Sequence, residues 1–141
     1  MTWDDVVVPW QLPEVVDPIS YERVVMNAGT TWDYVPWHYN PRYAKEHGHP
    51  TIFVNTMHLA GFIDRIATDY GGPHSRVVRR KVSLLGSIYA GDSMVARGRV
   101  VGKRIDTAGD GPQFLVDLEI AIFNQRDELC CPAEVTVQLA G

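Results

Sequence analysis

The sequence predicts an α+β fold in which one long helix lies on a curved antiparallel sheet. Three observations favour this class. One stretch of the 141-residue chain has the apolar spacing of a long helix, four later stretches are rich in β-branched and aromatic residues, and turn residues separate those four. A helix followed by successive strands is typical of α+β proteins. Because this length is common for one domain, we expect residues 1–141 to form a single domain.

The amino-terminal segment, residues 1–19, is expected to be an extended arm, because its three prolines interrupt any long helix. Ser20 is a suitable N-cap and Gly29 a suitable stop, which predicts a brief helix between them. The β-branched pair Val24 and Val25 also suits a strand, so the spacing leaves both structures open.

Two further helices are predicted before the strands begin. Asn40 as N-cap, Pro41 at the first helical position and Gly48 as the stop predict a short helix. The one long helix is expected from about Val54 to Tyr70, where apolar residues form a broad face and glycines follow the last turn.

Everything after the long helix has the character of strands. Turn residues separate the four β-rich stretches, as they do in consecutive antiparallel strands. The predicted strands are Val77–Leu85, Ser93–Arg104, Gln113–Asn124 and Glu134–Leu139.

Composition excludes several classes of function. A net charge of −4 and a pI near 5.6 give no broad cationic surface for nucleic acid. No stretch approaches the roughly 18 apolar residues of a membrane span, and the acidic start of the chain is unlike a signal peptide. Cys130 and Cys131 are sequence neighbours in an apparent strand, so they cannot link distant parts of the chain as a disulfide. We therefore expect a cytoplasmic protein with buried, unreactive cysteines.

Asp33 and His38 are the candidate catalytic pair. Pro36 lies between them and opposes a regular helix, so an irregular loop would let both side chains converge. A carboxylate can accept a hydrogen bond from a water while a neighbouring imidazole moves its proton. The spacing alone is common in proteins, and a decorated loop is its simpler interpretation.

The surroundings of this pair resemble the MaoC-like hydratase family, which includes the (R)-specific enoyl-CoA hydratases. The family pattern Gly-Asp-x-Asn-Pro-x-His is similar to residues 32–38, and its His-Gly-Met at the start of the long helix to residues 55–57. A third family pattern, Pro-Val-Tyr-Pro-Gly-Asp, is similar to residues 87–92. The stretch at 52–55 resembles a branch found in actinobacterial steroid side-chain degradation, in which a small subunit pairs with a larger one.

The resemblance implies a hot-dog fold and the reversible hydration of a trans-2-enoyl-CoA. Asp33 and His38 match the residues that activate water, and backbone N–H groups near Asn55, Thr56 and Met57 match those that bind the thioester oxygen. It implies no cofactor beyond the coenzyme A of the substrate, and edge-to-edge pairing of two hot dogs, identical or different. Three positions depart from the family: Val35 replaces Asn, Asn55 replaces His and Thr56 replaces Gly.

Basic residues are candidates for the coenzyme A phosphates. Neighbours in a strand point to opposite faces, so the run at 79–81 cannot serve one phosphate group together. The candidates are Arg79, Arg80, Lys81 and Lys103, with Arg104 equally plausible. His47 and His49 near His38 raise the possibility of a metal site, but no second carboxylate or cysteine completes a familiar set, so we predict none.

Two other functions remain open on the sequence. A hot-dog thioesterase would cleave the same class of thioester with a carboxylate and water. A non-catalytic subunit that completes a larger partner's tunnel would explain the small size and the altered Val35 and Thr56.

Overall fold

The α+β architecture is confirmed. A computed structural model describes residues 1–141. It contains six strands, three α-helices and one 3₁₀ turn. Their bounds, in chain order, are β1 Trp10–Gln11, β2 Val15–Pro18, α1 Tyr21–Thr30, the 3₁₀ turn Pro36–His38, α2 Pro41–Glu46, α3 Thr56–Gly71, β3 Arg76–Val82, β4 Ser93–Asp106, β5 Gln113–Phe123 and β6 Leu129–Leu139.

The stretch after Ser20 is a helix and not a strand. The Ser20 side chain caps it by accepting a hydrogen bond from the Arg23 N–H at 3.2 Å. Val24 and Ala28, which are four residues apart, are the buried positions and face the core together. The helix continues one residue past the expected stop at Gly29.

Both predicted helices that follow are confirmed, with small shifts in their bounds. Asn40 caps α2 by accepting hydrogen bonds from the Arg42 and Tyr43 N–H groups, each at 3.1 Å. The long helix α3 begins at Thr56, two residues later than expected, because Asn55 is its N-cap. The helix ends at Gly71, where Gly72 takes a positive φ of 83°.

All six strands belong to one antiparallel sheet in the order β1-β4-β5-β6-β3. β2 also pairs with β4, at residues 93–96, whereas β1 pairs with residues 99–100. Helix α3 packs against β3, β5 and β6. A core of 25 buried residues fills the space between the helix and the sheet. No helix in the structure is long and apolar enough to cross a membrane.

Part of the amino-terminal arm joins the sheet, which the sequence did not predict. β1 and β2 both pair with β4 and lie at the edge of the sheet. Prolines are tolerated there because the backbone N–H groups on the outer side of an edge strand have no strand to pair with. Leu12 is buried over Gly98 of β4, and a Cβ on that glycine would lie 2.9 Å from Leu12 Cδ1. The missing side chain therefore makes room for the arm.

Two strand bounds were also wrong, and one proline explains both. β3 ends at Val82 and not at Leu85, whereas β6 begins at Leu129 and not at Glu134. Pro132 lies inside β6, and its carbonyl accepts a hydrogen bond from the Ser83 N–H at 3.0 Å. Because the N and C=O of one residue face the same neighbour, the missing N–H of Pro132 faces β3, and regular pairing stops there.

Candidate active site

The segment between α1 and α2 holds the predicted pair. It begins with Trp32 at a φ of +56°, a left-handed conformation that is costly for a large side chain. The Asp33 N–H then donates to the Ala28 carbonyl at 2.9 Å and ties the segment to the end of α1. Pro36 starts the 3₁₀ turn and does not break it, since a first position needs no N–H donor. The segment is therefore more regular around His38 than the predicted loop.

The structure brings Asp33 and His38 together. Asp33 Oδ2 lies 3.4 Å from His38 Nε2, and the exposed fractions of the two side chains are 29% and 7%. His38 Nδ1 lies 2.7 Å from the carbonyl oxygen of Phe53. A carbonyl oxygen only accepts, so Nδ1 carries the hydrogen and donates it. When Nε2 carries no hydrogen, its lone pair therefore faces the carboxylate side of the site.

Trp37 occupies this lone pair. Its indole Nε1–H donates to His38 Nε2 at 3.0 Å, and the two rings are perpendicular at 90°. The indole also stacks on Phe53, with ring centroids 6.0 Å apart and an interplanar angle of 25°. Neither contact was predicted. Trp32, the other tryptophan of this segment, is 79% exposed.

Aromatic rings surround Trp37 and form a cluster beside the pair. Their centroids lie between 3.9 and 6.4 Å from one another in the contacting pairs. The cluster gives the site a wall of packed rings on one side. We call this the aromatic cluster; its members are Trp37, Tyr43, His47, His49, Phe53 and Tyr89.

The amino terminus of α3 begins three residues after Phe53, whose carbonyl contacts His38. The side chain of Asn55 is 3% exposed; its Oδ1 accepts from the His58 N–H at 3.0 Å and its Nδ2 donates to Thr31 Oγ1 at 2.7 Å. The N–H groups of Asn55, Thr56 and Met57 donate to no acceptor in the protein. The side chain of Asn55 thus has a structural role, and three N–H groups remain available at the positive end of the helix.

The predicted phosphate-binding residues do not contact the pair. Arg79 forms an ion pair with Glu134 at 3.6 Å, and Arg80 forms one with Asp64 on α3. These partners lie on opposite faces of the sheet, as the alternation of strand residues requires.

The two lysines among the candidates make no ion pair in the structure. The Lys103 ammonium lies over the Trp3 ring, 4.4 Å from its centroid. Lys81 lines an open groove of about 500 Å³ on the face of the sheet that points away from α3.

The remaining histidines and cysteines lie outside this site. Cys130 and Cys131 are free and buried, and burial raises the pKa of both thiols, which keeps them protonated. His58 is half-buried, and its Nδ1 has no hydrogen-bond partner. Burial lowers the pKa of His58, and the charge of Arg23 lowers it further.

Comparison with known proteins identifies a family. The family model described as a MaoC like domain matches residues 11–111 of the chain. No sequence among curated proteins matches.

Solved structures share the whole fold. A chain of the ChsH1–ChsH2 complex from Mycobacterium tuberculosis is 25% identical with a TM-score of 0.82, and the match covers 95% of this chain and 98% of that one. The (R)-hydratase from A. caviae involved in PHA biosynthesis is 21% identical with a TM-score of 0.84, over 96% and 98% of the two chains. The truncated HadBC complex, a (3R)-hydroxyacyl-ACP dehydratase from Mycobacterium tuberculosis, is 16% identical with a TM-score of 0.69, over 92% and 94%. These similarities confirm the hot-dog fold.

Proposed function

The chain belongs to the MaoC-like domain family, and from that membership we propose that it hydrates the double bond of a trans-2-enoyl-CoA reversibly, giving a 3-hydroxyacyl-CoA. One observation carries the proposal. Asp33 Oδ2 and His38 Nε2 lie 3.4 Å apart, and the Phe53 carbonyl fixes the imidazole so that its lone pair is on the nitrogen nearest the carboxylate. This is the arrangement that a base and its supporting acceptor need.

The proposed chemistry uses a water held by both side chains. His38 Nε2 takes a proton from the water while Asp33 accepts its other hydrogen, and the water oxygen bonds to C3 of the enoyl group. The electrons of the C2–C3 double bond then move towards the thioester carbonyl. Return of a proton to C2 completes the 3-hydroxyacyl product, and the reverse sequence dehydrates it.

The negative charge that develops on the thioester oxygen needs donors. We assign this role to the backbone N–H groups of Asn55, Thr56 and Met57, which have no acceptor in the protein and lie at the positive end of α3. Because main-chain groups are the donors, the replacement of the family's His and Gly by Asn55 and Thr56 does not remove them.

Direct measurement tests the assignment. The ultraviolet absorbance of a conjugated enoyl-CoA is lost on hydration, and we expect Asp33→Asn and His38→Ala each to slow that loss by about 10² to 10⁴-fold. His74→Ala changes an exposed histidine outside the site and is the matched control. Wild-type rates in both site variants would refute the proposal. Release of free thiol from an acyl-CoA would instead identify a thioesterase.

For the substrate, we propose a bulky, steroid-like acyl group on coenzyme A. The aromatic cluster offers a broad apolar wall beside the pair, and the chain is similar to a member of the ChsH1–ChsH2 complex. A steroid-side-chain enoyl-CoA should therefore have a higher kcat/KM than a four-carbon enoyl-CoA. Among the basic candidates, we assign the phosphates to Lys81, because Arg79, Arg80 and Arg104 are ion-paired and Lys103 lies over an indole. Lys81→Ala should raise KM for a CoA thioester but not for the pantetheine thioester, which lacks those phosphates.

We also propose that a second hot-dog subunit completes the protein. Two of the similar structures are complexes of two different proteins by name, ChsH1–ChsH2 and HadBC. If this chain were only the non-catalytic member of such a complex, the complex carrying Asp33→Asn would keep full activity. A complex that loses activity with that change would place the reaction in this chain.

A further inference from the structure

The Trp37 indole blocks the nitrogen that the proposed reaction needs. Nε2 of a neutral imidazole has one lone pair, and the Trp37 Nε1–H already occupies it at 3.0 Å. A catalytic water must donate to the same lone pair. The indole and the water therefore compete, and only one of them can be bound in the plane of the ring.

We propose that Trp37 is a positioning residue that caps His38 in the resting enzyme and is displaced when the acyl-CoA binds. The inference rests on the proposed role of His38 as base. An indole N–H donates and never accepts, so the cap is compatible only with an unprotonated Nε2, the form that a base requires. The cap thus keeps His38 ready and keeps bulk water away from it.

The contacts of the Trp37 indole position the side chain but allow it to move. One face of the indole stacks on Phe53, and the Tyr43, His47 and His49 rings lie near it. All of these are contacts between aromatic rings, and they tolerate sliding better than a directional hydrogen bond does. The N–H donates only to His38, so displacement costs one hydrogen bond.

Chemical modification measures the cap without any substrate. Diethyl pyrocarbonate acylates an unprotonated imidazole nitrogen, and mass spectrometry of the peptide resolves His38 from the exposed His74 in the same sample. Trp37→Phe keeps a ring on Phe53 but removes the N–H. The net worth of one neutral hydrogen bond predicts that His38 reacts about 2- to 10-fold faster in this variant than in the wild type. Trp10→Phe, an exposed tryptophan on β1, should leave the rate unchanged.

Hydration kinetics supply the second readout. If the substrate displaces the cap, Trp37→Phe should lower KM by about 2- to 10-fold. Benzothienylalanine at position 37 has the shape of tryptophan without the N–H, and it should give the same result if the phenylalanine variant does not fold.

The outcomes separate the two proposals. An unchanged modification rate at His38 in both position-37 variants would overturn the proposed cap. So would a kcat that falls by more than about 10-fold in these variants, since the indole would then take part in the reaction. Faster modification in a protein that hydrates no enoyl-CoA even with its partner subunit bound would support the cap and refute the proposed function.

Discussion

Replacing Asn55 tests how the amino terminus of α3 is held in place. In Asn55→Ala the helix loses its N-cap, the hydrogen bond from the His58 N–H, which costs about 1 kcal/mol. It also loses the hydrogen bond to Thr31 at the end of α1, which contributes about another 1 kcal/mol because the group is buried. The sum predicts a fall of about 2 kcal/mol in the free energy of unfolding.

The measurement is urea denaturation followed by circular dichroism, with the slope of the transition checked for constancy. For a chain of this size the same loss should lower Tm by about 7 °C. Asn40→Ala is the matched control, because Asn40 caps the six-residue α2 from an exposed position and its Nδ2 makes no link to another element. We expect it to cost about 1 kcal/mol.

Asn55→Asp separates the two parts of the loss. Its carboxylate keeps the acceptor and suits the positive end of a helix, so only the link to Thr31 is lost and we expect about half the effect. If Asn55→Ala cost no more than Asn40→Ala, the link between α1 and α3 would contribute nothing and this reasoning would fail.

Two further predictions concern stability. Trp32→Gly removes the cost of a large residue at a φ of +56°, and the greater entropy of glycine in the unfolded chain offsets part of that gain. The free energy of unfolding in urea should therefore rise by up to about 1 kcal/mol. A fall of more than about 1 kcal/mol would contradict this prediction. Burial lowers the pKa of His58, so the unfolded state takes up a proton at this residue before the folded state does, and the folded state is destabilised as the pH falls through that range. His58→Gln should therefore lose less stability than the wild type between about pH 7 and pH 5 in the same urea assay. Equal losses in the two proteins would contradict this prediction.

The sequence predicts the helices well because their end signals are local. Ser20, Asn40 and Asn55 each accept a hydrogen bond from an N–H two or three residues ahead, and such contacts need no tertiary structure. Strand bounds were less predictable. β6 was expected only from Glu134, yet it includes Pro132, and this proline fits because β3 has already ended opposite it. Only the pairing of the two strands shows this.

The candidate site also has features that the sequence predicted and contacts that only the fold creates. Asp33 and His38 were predicted as a pair, and the structure brings them together, although their catalytic role remains a proposal. The Trp37 donor was missed because neighbours in sequence do not usually contact each other through their side chains, and a 3₁₀ turn made it possible here. The Phe53 carbonyl was missed because it is a backbone atom fifteen positions from His38, brought close by the fold alone.

That carbonyl has a consequence for mutagenesis. Every amino acid at position 53 supplies the same oxygen, so replacing the side chain there removes a ring from the aromatic cluster and leaves the acceptor of His38 Nδ1 in place. A survey of side-chain replacements would record position 53 as a packing residue and overlook its part in orienting the imidazole. Converting the amide that follows Phe53 to an ester would weaken the acceptor itself. The orientation of His38 is thus encoded in the path of the main chain.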